Sequence, residues 1–158
     1  MIKVLFICTG NICRSPTAEG VFRALVHEAG LENEIEIDSV GTGSWHAGSS
    51  PDQRSQDAAA LRGIDISDQR SRQIGSDDIL NSDYLIAMDK SNVDNLKLMV
   101  PPKMRDKLML FLTFAPSQNR QDVPDPYYGG GPGGFEIVLD LVEDASRGLL
   151  TYICHNDL

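Results

Sequence analysis

Short apolar runs alternate along the chain with stretches that have helical periodicity. The apolar runs predict strands at residues 2–7, 34–40, 83–88 and 107–112. The periodic stretches predict helices at residues 16–29, 51–62, 76–81, 90–99 and 134–154. Because strands and helices alternate, the pattern predicts an α/β fold built on a parallel sheet with right-handed crossovers.

The first predicted strand runs directly into a loop that ends at a helix opened by proline. Residues 8–15 read Cys-Thr-Gly-Asn-Ile-Cys-Arg-Ser, and Pro16 stands in the first helical turn, where proline is tolerated. Ligands of parallel sheets bind at the carboxyl ends of the strands, so a binding site is expected at this loop. Residues 113–134, rich in proline and glycine, are expected to form a second, long functional loop.

The chain of 158 residues is acidic, with a net charge of −9. A negative surface argues against binding to nucleic acids or anionic membranes, and no apolar run reaches the roughly 18 residues of a membrane span. Three cysteines and the lack of a signal-peptide pattern argue against a secreted disulfide scaffold and favour a cytoplasmic protein. With no repeat or linker, residues 1–158 are expected to form a single domain.

The 8–15 loop contains a candidate nucleophile, Cys8, and a candidate anion ligand, Arg14. Cys8 could be a small buried apolar residue, but the following helix, the loop N–H groups and Arg14 would together stabilise a thiolate. A cation at a helix N-terminus opposes the helix dipole, which favours an anion bound beside Arg14. The planar guanidinium of Arg14 can donate hydrogen bonds to two phosphoryl oxygens at once. Gly10 and Asn11 tolerate a left-handed backbone, and Ser15 can hydrogen-bond the sulfur or cap the helix.

A candidate proton donor lies in the segment Asp125-Pro126-Tyr127-Tyr128. Pro126 favours an extended conformation at Asp125, which presents the carboxyl group outward. Such an acid could protonate a leaving phenolate and then act as the base on the water that hydrolyses a phosphocysteine. An ordinary Asp-Pro turn is the alternative interpretation.

The two motifs, Cys8–Pro16 and Asp125–Tyr128, together resemble those of the low-molecular-weight protein tyrosine phosphatases. The resemblance extends from residue 2 to about residue 150 and includes the segments 38–42, 70–74 and 87–92. It implies that Cys8 is the nucleophile, Arg14 the phosphate clamp and Asp125 the general acid. It also implies a four-stranded parallel sheet flanked by helices, with no metal or cofactor.

The same resemblance implies a hydrogen-bond network that supports the loop, made by Asn11, Ser15 and Ser39. The family often has a histidine in the segment before Arg70, and this histidine helps to fix the loop asparagine. This chain has Asp68-Gln69 there. Gln69 is expected to hydrogen-bond Asn11 in its place, without carrying a charge.

The substrate is expected to be phosphotyrosine in proteins, because apolar walls and a deep nucleophile favour a flat aromatic ring, and a phosphoserine would be too short to reach the nucleophile. The expected substrate-binding residues are Thr9, Gly10, Asn11, Ile12, Cys13, Ser15, Trp45, Tyr127 and Tyr128. His46, beside Trp45, could touch the substrate, but a surface position is the expected one. The histidines are scattered along the chain and predict no metal site. The protein is expected to be a monomer or to self-associate weakly through Tyr127 and Tyr128.

Three alternatives stay open. A protein arginine phosphatase of the same fold is one, although relatives specialised for phosphoarginine tend to carry threonine where this chain has Ile12. An arsenate reductase needs further cysteines, and the only one outside the loop is Cys154. An inactive phosphate-binding module would need no acid at Asp125. Independently of these, Cys8 and Cys13 are expected to form a reversible disulfide under peroxide.

Overall fold

The computed structural model describes residues 1–128 and 133–158, apart from the side chain of Tyr128. Within these residues four parallel strands form one sheet in the order β2-β1-β3-β4. The strands are β1 Ile2–Cys8, β2 Ile35–Gly41, β3 Tyr84–Ala87 and β4 Leu108–Leu110. The parallel sheet is therefore confirmed. The predicted fourth strand, 107–112, was too long, because the chain turns into a 3-10 helix at Phe111.

Five α-helices of the described residues flank the sheet. They are α1 Arg14–Glu28, α2 Gln53–Ala60, α3 Ser76–Asn81, α4 Lys90–Lys97 and α5 Gly134–Asp157. Short 3-10 helices occupy Pro102–Lys107, Phe111–Phe114, Pro116–Gln118 and Pro126–Tyr128. The helix predicted at 16–29 begins earlier, at Arg14, so Pro16 is its third residue rather than its first. The last two 3-10 helices lie within the predicted 113–134 loop, of which residues 129–132 lie outside the described residues.

Two hydrophobic clusters lie on opposite faces of the sheet, because successive side chains of a strand point to opposite sides. Val4 and Phe6 of β1 pack into the cluster that contains α1 and α5, whereas Leu5 and Ile7 pack into the cluster that contains α3 and α4. The ring of Phe6 lies 5.6 Å from that of Phe22 and 5.2 Å from that of Phe111. This burial on both faces explains why β1 is an unbroken apolar run.

The strand register places Cys8 at the edge of the sheet where β1, β2 and β3 end. Cys8 pairs with Gly41 at the end of β2, and Ile7 pairs with Ala87 at the end of β3. The loops that follow all three strands therefore meet around Cys8. No helix in the described ranges combines the length and apolar character that crossing a membrane requires.

Helix α5 approaches the 3-10 helix Phe111–Phe114 closely at Gly148. A Cβ atom at this position would lie 1.9 Å from the carbonyl oxygen of Phe114, a contact with backbone that a side-chain rotation cannot relieve. Glycine is normally a poor residue for a helix interior. Its presence here allows the two backbones to pack.

We expect Gly148→Ala to lower the free energy of unfolding by about 1–3 kcal/mol, because the backbones must separate to admit the methyl group. The sign is opposite to the usual gain of alanine over glycine in a helix. Urea denaturation measures the change. Thr151→Ala, at an exposed position of the same helix, is the control. A stabilised Gly148→Ala protein would contradict the packing argument.

Candidate active site

The 8–15 loop joins β1 to α1 and turns its N–H groups toward Cys8. Backbone N–H groups of the surrounding chain satisfy three loop carbonyls: Thr42 donates to Cys8 (2.9 Å), Gly43 to Thr9 (3.1 Å) and Asp52 to Ile12 (2.8 Å). The Ser71 hydroxyl donates to the carbonyl of Gly10 over 2.9 Å. Since N–H and C=O of a trans peptide point in opposite directions, the loop N–H groups face inward. Such a concave ring of donors binds anions.

Two groups of the 8–15 loop lie close to the sulfur of Cys8. The N–H of Asn11 lies 3.3 Å from Sγ, and the Ser15 hydroxyl lies 3.0 Å from it. Ser15 is inside α1, and Cys13 stands at the N-cap without a side-chain cap. The helix-cap interpretation of Ser15 is thus replaced by the hydrogen bond to sulfur. The site therefore holds hydrogen-bonding groups close to the sulfur, at the N-terminus of α1.

Asn11 holds the loop in a left-handed backbone conformation, with φ of 57°. Its amide donates to Ser15 Oγ (2.8 Å) and to Ser39 Oγ (3.0 Å), and its carbonyl accepts the N–H of Arg72 (3.0 Å). The structure therefore brings together Asn11, Ser15 and Ser39, the three residues expected to support the loop. The strained conformation is stabilised because every polar group of the Asn11 side chain has a partner.

The network continues to a buried carboxylate that the sequence did not single out. The Ser39 hydroxyl donates to Glu19 over 2.7 Å, and Glu19 forms an ion pair with Arg23 at 3.0 Å. Glu19 is buried, whereas Arg23 is half exposed and also donates to the carbonyl of Ile37. Burial raises the pKa of Glu19, and the Ser39 hydroxyl and Arg23 oppose that effect. A chain of contacts thus leads from the surface at Arg23 to the sulfur of Cys8.

Gln69 does not take the expected place beside Asn11. Its amide donates to the carbonyl of Pro16 over 3.1 Å, and its Oε1 has no hydrogen-bond partner in the part of the chain that the structure describes. The reason is that Ser15, Ser39 and Arg72 already occupy the amide of Asn11. Gln69 contacts the first turn of α1 instead of the loop asparagine, which corrects the prediction.

Arg14 is almost completely buried, with 2% of its side chain exposed. One nitrogen, Nη1, donates to Asp89 (2.5 Å) and to the carbonyl of Val123 (3.0 Å). The other, Nη2, lies 3.4 Å from both Thr9 Oγ1 and Asp125 Oδ2. Burial alone would lower the pKa of Arg14, but Cys8 and the two carboxylates outweigh it and raise the pKa above its ordinary value.

Asp89 is a residue that sequence analysis missed. It caps α4 by accepting the N–H of Asn92 over 2.8 Å, and the Asn92 side chain donates to Thr9 over 3.2 Å. The available signal was its position directly after β3, at the same edge of the sheet as Cys8. The helix-cap pattern of Asp89 and Asn92 concealed the second role, the ion pair with Arg14.

Asp125 faces the same guanidinium from the opposite loop. Its Oδ2 lies 3.4 Å from Arg14, and its Oδ1 accepts the N–H of Tyr127 over 3.1 Å. Two residues earlier, the N–H of Val123 donates to the carbonyl of Met88 over 2.8 Å, which ties this segment to the end of β3. We refer to residues 123–127 as the Asp125 segment.

Cys8, Arg14 and Asp125 line one cavity of about 150 Å³. The other lining residues are Thr9, Gly10, Ile12, Cys13, Trp45, His46 and Tyr127. Trp45, 73% exposed, folds over Gly43 at the rim rather than forming a buried wall. His46 is half-buried, lies edge-on to Tyr127 with 5.7 Å between the ring centroids, and lines the cavity, as the alternative to a plain surface position has it. Asn11 and Ser15 hydrogen-bond the sulfur of Cys8. The side chain of Tyr128 lies outside the described residues.

Cys13 also lines the cavity, and its thiol is buried. Burial raises the pKa of the Cys13 thiol to about 12, although a hydrogen bond with Ser55 works in the opposite direction. Cys13 is therefore a neutral thiol near neutral pH. Both cysteines are free.

The chain matches known proteins along almost its whole length. A family model described as low molecular weight phosphotyrosine protein phosphatase matches residues 3–157. A low molecular weight phosphotyrosine protein phosphatase of Schizosaccharomyces pombe is 45% identical over 143 residues, 90% of this chain and 91% of the relative. The crystal structure of a protein tyrosine phosphatase from Entamoeba histolytica, with Hepes in the active site, is 37% identical and covers 100% of both chains with a TM-score of 0.95. The crystal structure of a Drosophila arginine phosphatase, 31% identical, covers 99% of this chain and 100% of that one with a TM-score of 0.90.

We expect Glu19→Gln to change the stability of the protein in a pH-dependent way. Because the pKa of Glu19 is raised on folding, its contribution to stability is complete below its ordinary pKa of 4.5 and is lost as the pH rises through the folded-state pKa. Glutamine cannot ionise and does not lose this contribution. The free energy of unfolding of Glu19→Gln, relative to the native protein, should therefore be higher at about pH 7.5 than at about pH 4.

Urea denaturation of both proteins at the two pH values measures this difference. Glu28→Gln, at an exposed position near the end of the same helix, is the matched control and should show little difference at either pH. The same relative stability of Glu19→Gln at both pH values would contradict the raised pKa of the buried carboxyl.

Proposed function

Because this chain belongs to the low-molecular-weight phosphotyrosine protein phosphatase family and is a cysteine-dependent protein-tyrosine phosphatase, we propose that it hydrolyses phosphotyrosine through a phosphocysteine on Cys8. The observation that carries this mechanism is the meeting of Cys8, Arg14 and Asp125 around one cavity. The three groups come from two distant parts of the chain, and together they provide a nucleophile, an anion ligand and an acid.

In the first step the Cys8 thiolate attacks phosphorus in line with the tyrosine oxygen. The inward N–H groups of the 8–15 loop and Arg14 stabilise the negative charge that builds on the phosphoryl oxygens. Nη1 of Arg14 is anchored by Asp89 and Val123, which fixes the guanidinium plane. The longer contacts of Nη2, at 3.4 Å, are those that a phosphoryl oxygen would replace.

Asp125 serves both steps. As the P–O bond breaks, its carboxyl group gives a proton to the departing tyrosine oxygen. The resulting carboxylate then takes a proton from a water molecule, the hydroxide attacks phosphorus, and the S–P bond breaks to release phosphate and the Cys8 thiolate. The contact of Asp125 with Arg14 supports this assignment, because it places the carboxyl next to the guanidinium that binds the phosphoryl group.

The cavity favours an aromatic leaving group. Trp45 and Tyr127 stand at its entrance and Cys8 lies at its base, so a phosphate must be carried on a long flat side chain. Ile12, 8% exposed, contributes an apolar wall where relatives specialised for phosphoarginine tend to have threonine. The Drosophila arginine phosphatase shares the fold, so phosphoarginine is the competing substrate to test.

The proposed setting is the cytoplasm, and the proposed partners are tyrosine-phosphorylated proteins. Three free cysteines fit a reducing compartment. Arsenate reduction is less favoured, because Cys154 is exposed in α5, whereas Cys8 and Cys13 are buried in the loop.

The proposed function is tested by phosphate release from matched phosphotyrosine, phosphoserine and phosphoarginine peptides. We expect turnover of the phosphotyrosine peptide, and a loss of at least about 1000-fold in Cys8→Ser, because the hydroxyl is a poor nucleophile here. Cys154→Ser, which changes a thiol away from the cavity, is the control. Preference for phosphoarginine, or thiol-dependent turnover of arsenate with none of any peptide, would overturn the substrate assignment.

The proposed redox regulation concerns Cys8 and Cys13. Peroxide would oxidise the Cys8 thiolate to a sulfenic acid, and the Cys13 thiol would then condense with it, releasing water and forming a disulfide. The raised pKa of Cys13 supports this order, because the neutral thiol is the less reactive toward peroxide.

We expect Cys13→Ser to keep most of its basal activity but to recover less after peroxide and then a thiol reductant, because Cys8 would proceed to irreversible acids. Recovered activity as a fraction of the starting activity is the measurement. Cys154→Ser should recover like the native protein. Equal recovery of the Cys13→Ser and native proteins would rule out the protective disulfide.

A further inference from the structure

Asp52 links the 8–15 loop to helix α2. Its backbone N–H donates to the carbonyl of Ile12 over 2.8 Å, which is one of the contacts that turn the loop N–H groups inward. Its carboxylate caps α2 by accepting the N–H of Arg54 over 2.9 Å. The side chain of Asp52 is 11% exposed, so this carboxylate is held in a well-defined place next to the loop.

Arg54 is held by the same carboxylate through a bidentate fork. Its Nε lies 3.0 Å from Asp52 Oδ1 and its Nη2 lies 2.9 Å from Oδ2. Two parallel hydrogen bonds fix the plane of a guanidinium as well as its position. The pKa of Asp52 is lowered chiefly by these bonds.

The guanidinium contacts two aromatic rings that belong to other elements. Its carbon lies 5.9 Å from the ring centroid of Tyr127 and 4.8 Å from that of Phe135. A guanidinium is attracted to the face of an aromatic ring, so these contacts hold both rings near α2. Phe135 is in the first turn of α5, and Tyr127 is in the Asp125 segment.

Tyr127 in turn positions the acid. Its backbone N–H donates to Oδ1 of Asp125, which leaves Oδ2 facing Arg14. A continuous set of contacts therefore joins Ile12, through Asp52, Arg54 and Tyr127, to Asp125. These contacts connect the 8–15 loop with the Asp125 segment, and both of these line the cavity.

We propose that Arg54 is a positioning residue that sets the location of the Asp125 carboxyl relative to the 8–15 loop. Arg54 is 55% exposed, is paired with Asp52 and does not line the cavity, so it acts through Tyr127 and not on the substrate. The role rests on the proposed function of Asp125 as the general acid. Small displacements of a catalytic group lower the rate strongly. Arg54 can therefore affect the rate although it contacts Asp125 only through Tyr127.

The test compares two substrates that differ in their need for an acid. The phenolate of tyrosine requires protonation to leave, whereas the more acidic nitrophenol of p-nitrophenyl phosphate leaves with little help. We expect Arg54→Met to lower kcat/KM for a phosphotyrosine peptide by about three- to tenfold and that for p-nitrophenyl phosphate by less than about twofold. Arg147→Met, at an arginine of α5 that is 61% exposed and near Asp144, is the matched control and should change neither value.

Two further measurements separate the possible failures. Asp125→Asn should lose far more activity on the phosphotyrosine peptide than on p-nitrophenyl phosphate, and adding Arg54→Met to it should cause no further selective loss. If Asp125→Asn lowers both activities equally, the acid assignment fails, and this proposal fails with it. If Asp125→Asn is selective but Arg54→Met lowers both activities equally or neither, the proposed function stands and the role of Arg54 is overturned.

Inhibition by inorganic phosphate tests whether the 8–15 loop itself is intact. Because the proposal confines the effect to the acid, the inhibition constant of Arg54→Met should stay within about twofold of the native value. A rise that matches the loss of activity would mean that the substitution damages the anion site, and would overturn a positioning role directed at Asp125.

Discussion

A buried arginine is the constraint on which the architecture of the site depends. Removing a guanidinium from water costs several kcal/mol unless opposite charge and hydrogen-bond acceptors surround it. Arg14 meets this requirement with groups from three places: Thr9 in its own loop, Asp89 after β3, and Val123 with Asp125 in the long connection before α5. The same contacts that make its burial possible bring together Cys8, Arg14 and Asp125, the groups of the proposed mechanism.

Support for Cys8 is organised differently, as a succession of neutral hydrogen bonds. Ser15, Asn11 and Ser39 separate the sulfur of Cys8 from the carboxyl group of Glu19. Arg23 then neutralises Glu19 at the surface. Hydrogen-bond chains of this kind are rigid because every member has its partners fixed. Neutral hydrogen bonds thus hold the loop at Asn11, whereas ion pairs hold it at Arg14.

The parts of the site that sequence could predict are those whose cause is local. The path from β1 through Cys8 to Arg14 is contained in one continuous segment, and the apolar runs that form the sheet are likewise local patterns. The ion pair of Arg14 with Asp89 joins residues 75 positions apart. In the sequence, Asp89 is recognisable only as an ordinary helix cap. For Gln69 the sequence predicted a contact with Asn11 that the structure does not have. Ser39 and Arg72 hydrogen-bond the side-chain amide of Asn11 instead, and residue types alone do not reveal this competition. His46 lines the cavity beside Tyr127, a residue distant in sequence, so this placement also has no local signal.

The charge balance around Arg14 has a thermodynamic consequence. With Asp89 at 2.5 Å and Asp125 at 3.4 Å, the single positive charge of Arg14 already faces two carboxylates before any ligand arrives. An anionic ligand that enters beside Asp125 would bring a third negatively charged group to one guanidinium. Binding of such a ligand must therefore draw on the inward N–H groups of the 8–15 loop as well as on Arg14.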